Sequence, residues 1–173
     1  MVGHDHLFIK YGNYINIELS MKHENLVKIY HHDTDCYNVV WHGAYLKWFE
    51  IGRVDFSQLV GIDFKALDEM GILLPVVDLH CRYKSPARLM DEILIITELK
   101  ELRTASVSFS HTITNTKTGN VILNAVSTIV TTDINGKLLR KMPEYLYEKY
   151  SSATTKTDNI KLSLLDSKNT VMT

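Results

Sequence analysis

The spacing of apolar residues along the chain changes in steps, and each step predicts an element. Leu26–Tyr30 alternates apolar and polar residues as a short strand. From Tyr45 the spacing becomes helical, with Tyr45, Phe49, Gly52, Phe56 and Leu59 recurring on one stripe. Trp48, Ile51 and Val54 widen that stripe, so this helix needs covering on more than one side. Val60-Gly61 ends it, and Phe64–Met70 predicts a further short helical turn closed by Gly71. After Gly71 the period falls to two. Val77, Leu79, Cys81 and Tyr83 alternate with Asp78, His80, Arg82 and Lys84. Glu92–Leu99 is nearly all apolar, as in a strand covered on both faces. Ala105, Val107, Phe109, His111 and Ile113 alternate with Thr104, Ser106, Ser108, Ser110 and Thr112. Asn115–Asn120 reads as a turn, Val121–Thr132 as a long strand, and Asp133–Gly136 as another turn. Pro143 suits the first position of a terminal helix.

This order gives one short strand, one long apolar helix, and then hairpin-linked strands. Such segregation predicts an α+β fold in which a five-stranded antiparallel sheet wraps round one long central helix. The free edges and face of that sheet predict self-association as a dimer or tetramer. Residues 1–22 lack clean periodicity and stand as an N-terminal extension or arm, with Met21 a candidate alternative start. The domain proper is expected over 23–150. The Ser-, Thr-, Asp- and Lys-rich residues 151–173 read as a mobile tail.

Composition excludes more than it identifies. At 173 residues the chain suits a single domain that needs no metal or disulfide staple. A net charge of −1 argues against a nucleic-acid partner. Cys36 and Cys81 form no CxxC pair, which fits a reducing, cytoplasmic setting. No apolar run approaches the roughly 20 residues of a membrane span. His23, His31, His32 and His42 lack metal-ligand spacing, so neither a metal nor a cofactor is expected.

Chemistry concentrates between His31 and Phe56, in HHDTDCYNVVWHGAYLKWFEIGRVDF. Asp33 and Asp35 follow a strand and precede a helix whose first turn is Trp41-His42-Gly43-Ala44. Carboxylates there can cap the turn, or they can serve a site built on unpaired helix N–H groups. Asn38 tolerates positive φ and predicts a sharp turn that folds Asp35 back towards His42. A carboxylate, an imidazole and free amides would then meet within apolar walls, a layout for attack on a carbonyl.

The same stretch resembles the signature of hotdog-fold acyl-CoA thioesterases of the 4-hydroxybenzoyl-CoA thioesterase type. The likeness rests on Asp33, Thr34, Asp35, Val39, Val40, Trp41, His42, Tyr45, Phe49, Glu50 and Arg53. RYKSPARLMDE, at Arg82–Glu92, resembles the family's bend between two strands. The resemblance covers roughly residues 25–150. It implies a hotdog fold and hydrolysis of an acyl-CoA thioester, with Asp35 as nucleophile or general base and His42 as its polar partner. CoA would then be part of the substrate. Two departures stand out: Asn38 occupies a position that is Gly in many relatives, and His31 stands where some carry a Tyr, leaving His31 a candidate helper.

Around this pair, Val40, Trp41 and Tyr45 are candidates for the substrate pocket. Glu50 can pair with Lys47 or Arg53, or line the acyl channel. Arg82, Lys84 and Arg88 form a basic cluster suited to CoA phosphates, with Lys84 and Arg88 the chosen contacts. Cys36 as a nucleophile would need a positioned imidazole. A hotdog hydroxyacyl dehydratase, centred on Glu50, and a non-catalytic acyl-group binding module are the alternative readings.

Overall fold

The computed structural model describes residues 21–154, so the arm reading of 1–22 and the tail reading of 151–173 lie outside the described residues, except that Lys22 opens the first strand and 151–154 end the last helix, with Ala153 buried. Strand β1 (Lys22–Lys28) begins earlier than expected, because the in–out alternation starts at His23. His31–Asp33 then forms one 3-10 turn rather than a continuation of the strand. Helix α1 spans His42–Leu59 and α2 spans Phe64–Glu69. α2 starts where it does because the Asp63 carboxylate accepts from the N–H groups of Lys65 and Ala66. The strands that follow are β2 (Ile72–Leu73), β3 (Val76–Tyr83), β4 (Glu92–Leu102), β5 (Ser106–Asn115), β6 (Val121–Val130) and β7 (Thr132–Asp133). Residues 144–154 form a closing helix, α3.

Five strands make one antiparallel sheet in the order β1-β4-β5-β6-β3, and β2 pairs with β7 separately. The fold is therefore α+β, as the pattern predicts. α1 lies nearest β1 and β4, away from the centre of the sheet. β3, last in that order, is an edge strand exposed along nearly its whole length, with only Cys81 half-buried.

One expectation fails in detail. The apolar run in β4 is covered on one face only: Ile93 and Ile95 are buried, whereas Leu94 and Ile96 are only half-buried on the outer face. Their cover there comes from neighbouring strands, since the register sets Leu26 beside Leu94 and Thr112 beside Ile96.

The core has two apolar parts, one at each end of α1. Ile29, Tyr45, Trp48, Phe49, Ile93 and Ile113 fill the part beside the helix start. Phe56, Leu67, Phe109, Ile129, Leu146 and Tyr150 fill the other, where α3 packs. Between them runs a buried polar belt. Thr97 Oγ1 lies 3.0 Å from His111 Nδ1, and His111 Nε2 lies 2.9 Å from Ser127 Oγ. The His111 ring stacks on Phe49 at 4.7 Å. α1 crosses the belt at Gly52, where a Cβ would run into Thr97 Oγ1. Here glycine is required by close approach rather than by backbone angle.

Candidate active site

The loop that leads into α1 is a tight hairpin. Asp35 N–H donates to the Val39 carbonyl at 2.9 Å, and Asn38 N–H donates to the Asp35 carbonyl at 3.0 Å. Asn38 holds φ at 57°, the left-handed turn its amide side chain tolerates. The hairpin is tied on its far side to the β3–β4 connection, where Val40 N–H donates to the Ala87 carbonyl and Val39 bridges to Arg88. A basic side chain is thereby carried to the border of the acidic loop.

The two aspartates of this loop have different surroundings. Asp33 is 6% exposed and accepts from Tyr30 N–H at 3.0 Å, while its carbonyl takes Trp41 N–H at 3.1 Å. It therefore fixes both the 3-10 turn and the entry of α1. Asp35 is half-buried, and one of its oxygens accepts from Tyr37 N–H at 2.8 Å. Among the described residues nothing else bonds its carboxylate, so its second oxygen is open. Of the pair, Asp33 is engaged in structure and Asp35 is available.

α1 begins without a cap. No side chain bonds its first amides and no acidic residue lies in its first turn. The N–H groups of His42 and Gly43, which can have no partner within the helix, remain free to meet an oxygen or an anion. The Trp41 indole lies across Gly43, where any Cβ would strike the ring, and it is 43% exposed. His42 is exposed and meets Trp41 edge-on at 5.6 Å. No hydrogen bond joins His42 to Asp35 among the described residues, so the imidazole partners the indole instead.

The remaining candidates divide by depth. Val40 and Tyr45 are buried, and burial pushes the Tyr45 hydroxyl up to about 12, which keeps it protonated. Its ring meets Tyr83 of β3 at 5.7 Å. Glu50, Lys84 and Arg88 are exposed, and Glu50 forms an ion pair with buried Arg53. His31 is exposed, and its carbonyl rather than its ring holds Thr34. Cys36 is an exposed free thiol without an imidazole bonded to it.

The profile of the Thioesterase-like superfamily matches residues 29–150, from the end of β1 into α3. The chain belongs to that superfamily. It is 34% identical over 126 residues to the putative esterase sll0410 of Synechocystis sp., covering 72% of this chain and 76% of that protein. It is 31% identical over 104 residues to the acyl-CoA thioester hydrolase YbgC of Escherichia coli, covering 60% of this chain and 76% of that one. Among solved structures it is similar to DHNA-CoA thioesterase of Staphylococcus aureus, with a TM-score of 0.70 at 20% identity over 82% of this chain and 94% of the other. The last likeness carries the fold, and that fold is the hotdog fold.

Sequence reasoning passed over two parts of this thioesterase-like chain. The burial of Arg53 was hidden because its ion pair reads like any surface i,i+3 pair. The Arg88–Val39 bridge joins segments far apart in sequence, which local patterns cannot report. His111 did leave a signal, as the one imidazole in an inward-facing run of Val107, Phe109 and Ile113.

Proposed function

We propose that this protein is an acyl-CoA thioesterase that splits its substrate at the tip of α1. The acyl carbonyl oxygen takes hydrogen bonds from the His42 and Gly43 amides, where the helix dipole favours developing negative charge. The open oxygen of Asp35 then attacks the carbonyl carbon or takes a proton from the attacking water. A thiolate is a good leaving group, so no strong acid is needed. Trp41, Val40 and Tyr45 wall the acyl side, His42 adds a polar border, and Arg88 with Lys84 draws in the CoA phosphates. The observation that carries this reading is the contrast between a saturated Asp33 and a half-open Asp35 beside an uncapped helix.

The edge of β3 supports self-association as part of the same reading. Val76, Val77, Leu79 and Tyr83 are exposed on a strand with one unpaired ladder edge. A second copy pairing there would cover them and wall the open side of the pocket. Glu50, the pivot of a dehydratase reading, lies two turns from the helix tip in an ion pair, so nothing favours that chemistry.

The test is thiol release from aromatic, short-chain and long-chain acyl-CoAs, followed by thiol capture. Steady release from at least one class, with free acid formed in equal amount, is expected. Tight acyl-CoA binding without release would make the protein a binding module and defeat the reading.

A further inference from the structure

Two cavities flank α1, and one ion pair stands between them. The smaller, about 220 Å³, fills the gap between the off-centre helix and β3, and is bounded by Leu46, Phe49, Val76, Leu79 and Ser127. The larger, about 390 Å³, lies towards α2 and β2, against Val54, Phe64, Leu67, Ile72 and Leu74. Glu50 and Arg53 line both.

The smaller cavity starts at Leu46, and none of the helix-tip residues lines it. His42, Leu46, Glu50 and Arg53 fall on one face of α1, so Leu46 stands one turn, roughly 5.4 Å, beyond the helix tip. An acyl chain whose carbonyl sits at His42 and Gly43 would run past Leu46 and Phe49 and meet Glu50–Arg53. Arg53 is 5% exposed, and its guanidinium donates to Glu50, whose side chain is 55% exposed. A guanidinium has five N–H donors in a fixed fork, so it also presents polar hydrogens to spaces whose other walls are mostly apolar. Methylenes forced past that point would have to strip or displace a paired charge, which is costly in a buried setting. Alone, the smaller cavity falls below the ~300–1,000 Å³ typical of small-molecule pockets.

Resting on the thioesterase reading, we propose that the Glu50–Arg53 pair is the end wall of the acyl pocket, restricting the enzyme to short or compact acyl groups. The larger cavity behind it is then space that longer chains reach only when the wall is removed. Glu50 is the movable half of the wall because it stands in water, and Arg53 is the fixed half because it is buried.

The experiment compares kcat/KM for thiol release from butanoyl-, hexanoyl-, decanoyl- and tetradecanoyl-CoA in the unaltered protein, in Arg53→Met and in Glu50→Gln. Arg53→Met removes the buried charge and returns Glu50 to solvent, leaving no stranded ion in the core. The unaltered protein should favour hexanoyl over decanoyl by about tenfold, a difference of ~1.4 kcal/mol. Arg53→Met should raise the decanoyl-to-hexanoyl ratio by a similar factor, and Glu50→Gln by about threefold. Should Arg53→Met fail to fold, the Glu50→Gln ratio decides. Equal loss on every chain length, or a flat length profile in the unaltered protein, overturns the inference and leaves the hydrolytic reading standing. No thiol release from any member overturns both.

Discussion

The tip of α1 and its midpoint are both polar, yet their polar groups are used in opposite ways. At the midpoint the belt is closed. Thr97, His111 and Ser127 bond one another, Phe49 covers the ring, and Gly52 brings the helix down onto them. At the tip the groups are left open: one oxygen of Asp35 has no partner, and the first amides of α1 have no cap. Buried polar groups that satisfy one another define a structure. Polar groups left unsatisfied are ready for a substrate. The difference teaches that chemistry in this fold is located by what is missing a partner, more than by where polar residues gather.

The two regions can be pulled apart by substitution, and the largest effect should come from the tip. Asp35→Asn should lower kcat by ~10²–10⁴-fold, the usual cost of losing a positioned base, with the melting temperature nearly unchanged. Asp33→Ala should do the reverse. It strands the Tyr30 amide and costs about 1–3 kcal/mol of stability, read as an earlier denaturant midpoint. Equal kinetic losses in the two variants would erase the distinction between them.

At the midpoint, acid should act on stability. Burial, with Arg53 as a second cause, holds His111 down at about 4, and the ring is 1% exposed. The unfolded ring titrates near 6.5, so between those values the unfolded chain binds the extra proton. Stability from this group is therefore complete above pH 6.5 and is lost as the pH falls towards 4. By linkage the loss approaches about 3 kcal/mol. Chemical denaturation at pH 7, 5.5 and 4.5 should follow that slope, and His111→Gln should flatten it.

Packing over the belt gives a third handle. Gly52→Ala should cost about 1–3 kcal/mol through overpacking, and Thr97→Ser should recover none of it, because the clash is with the hydroxyl oxygen itself. Thr97→Ala, which removes that oxygen, should make the double variant less unstable than the two single losses predict. The smallest effect belongs to the basic border: Arg88→Ala should raise KM for acyl-CoA by about two- to fivefold, less at high salt.

Much of this was legible in residue patterns. Tyr45, Phe49, Gly52, Phe56 and Leu59 announced α1, and alternation announced β3 and β5, because a helix and a half-buried strand each impose a period; an apolar run announced β4. The pairing of DTD with an aromatic helix start located the tip. Local patterns could not separate Asp33 from Asp35, since the difference lies in which amides each reaches: Tyr30 for one and Tyr37 for the other. Nor could they show that α1 sits off-centre, which opens the cavity beside β3. That offset follows from how the whole sheet packs, and no single segment encodes it. Local patterns also did not show that the His42 ring meets Trp41 and shares no hydrogen bond with Asp35. The Thr34–Val40 bridge sets the hairpin across the loop, and His42 turns to Trp41.

The most direct test is a crystal structure of Asp35→Asn bound to an acyl-CoA that it no longer turns over. The account predicts the thioester carbonyl oxygen about 2.7–3.1 Å from the His42 or Gly43 amide, with its carbon facing residue 35. A thioester bound away from the helix tip, with residue 35 touching no part of the acyl group, would contradict it.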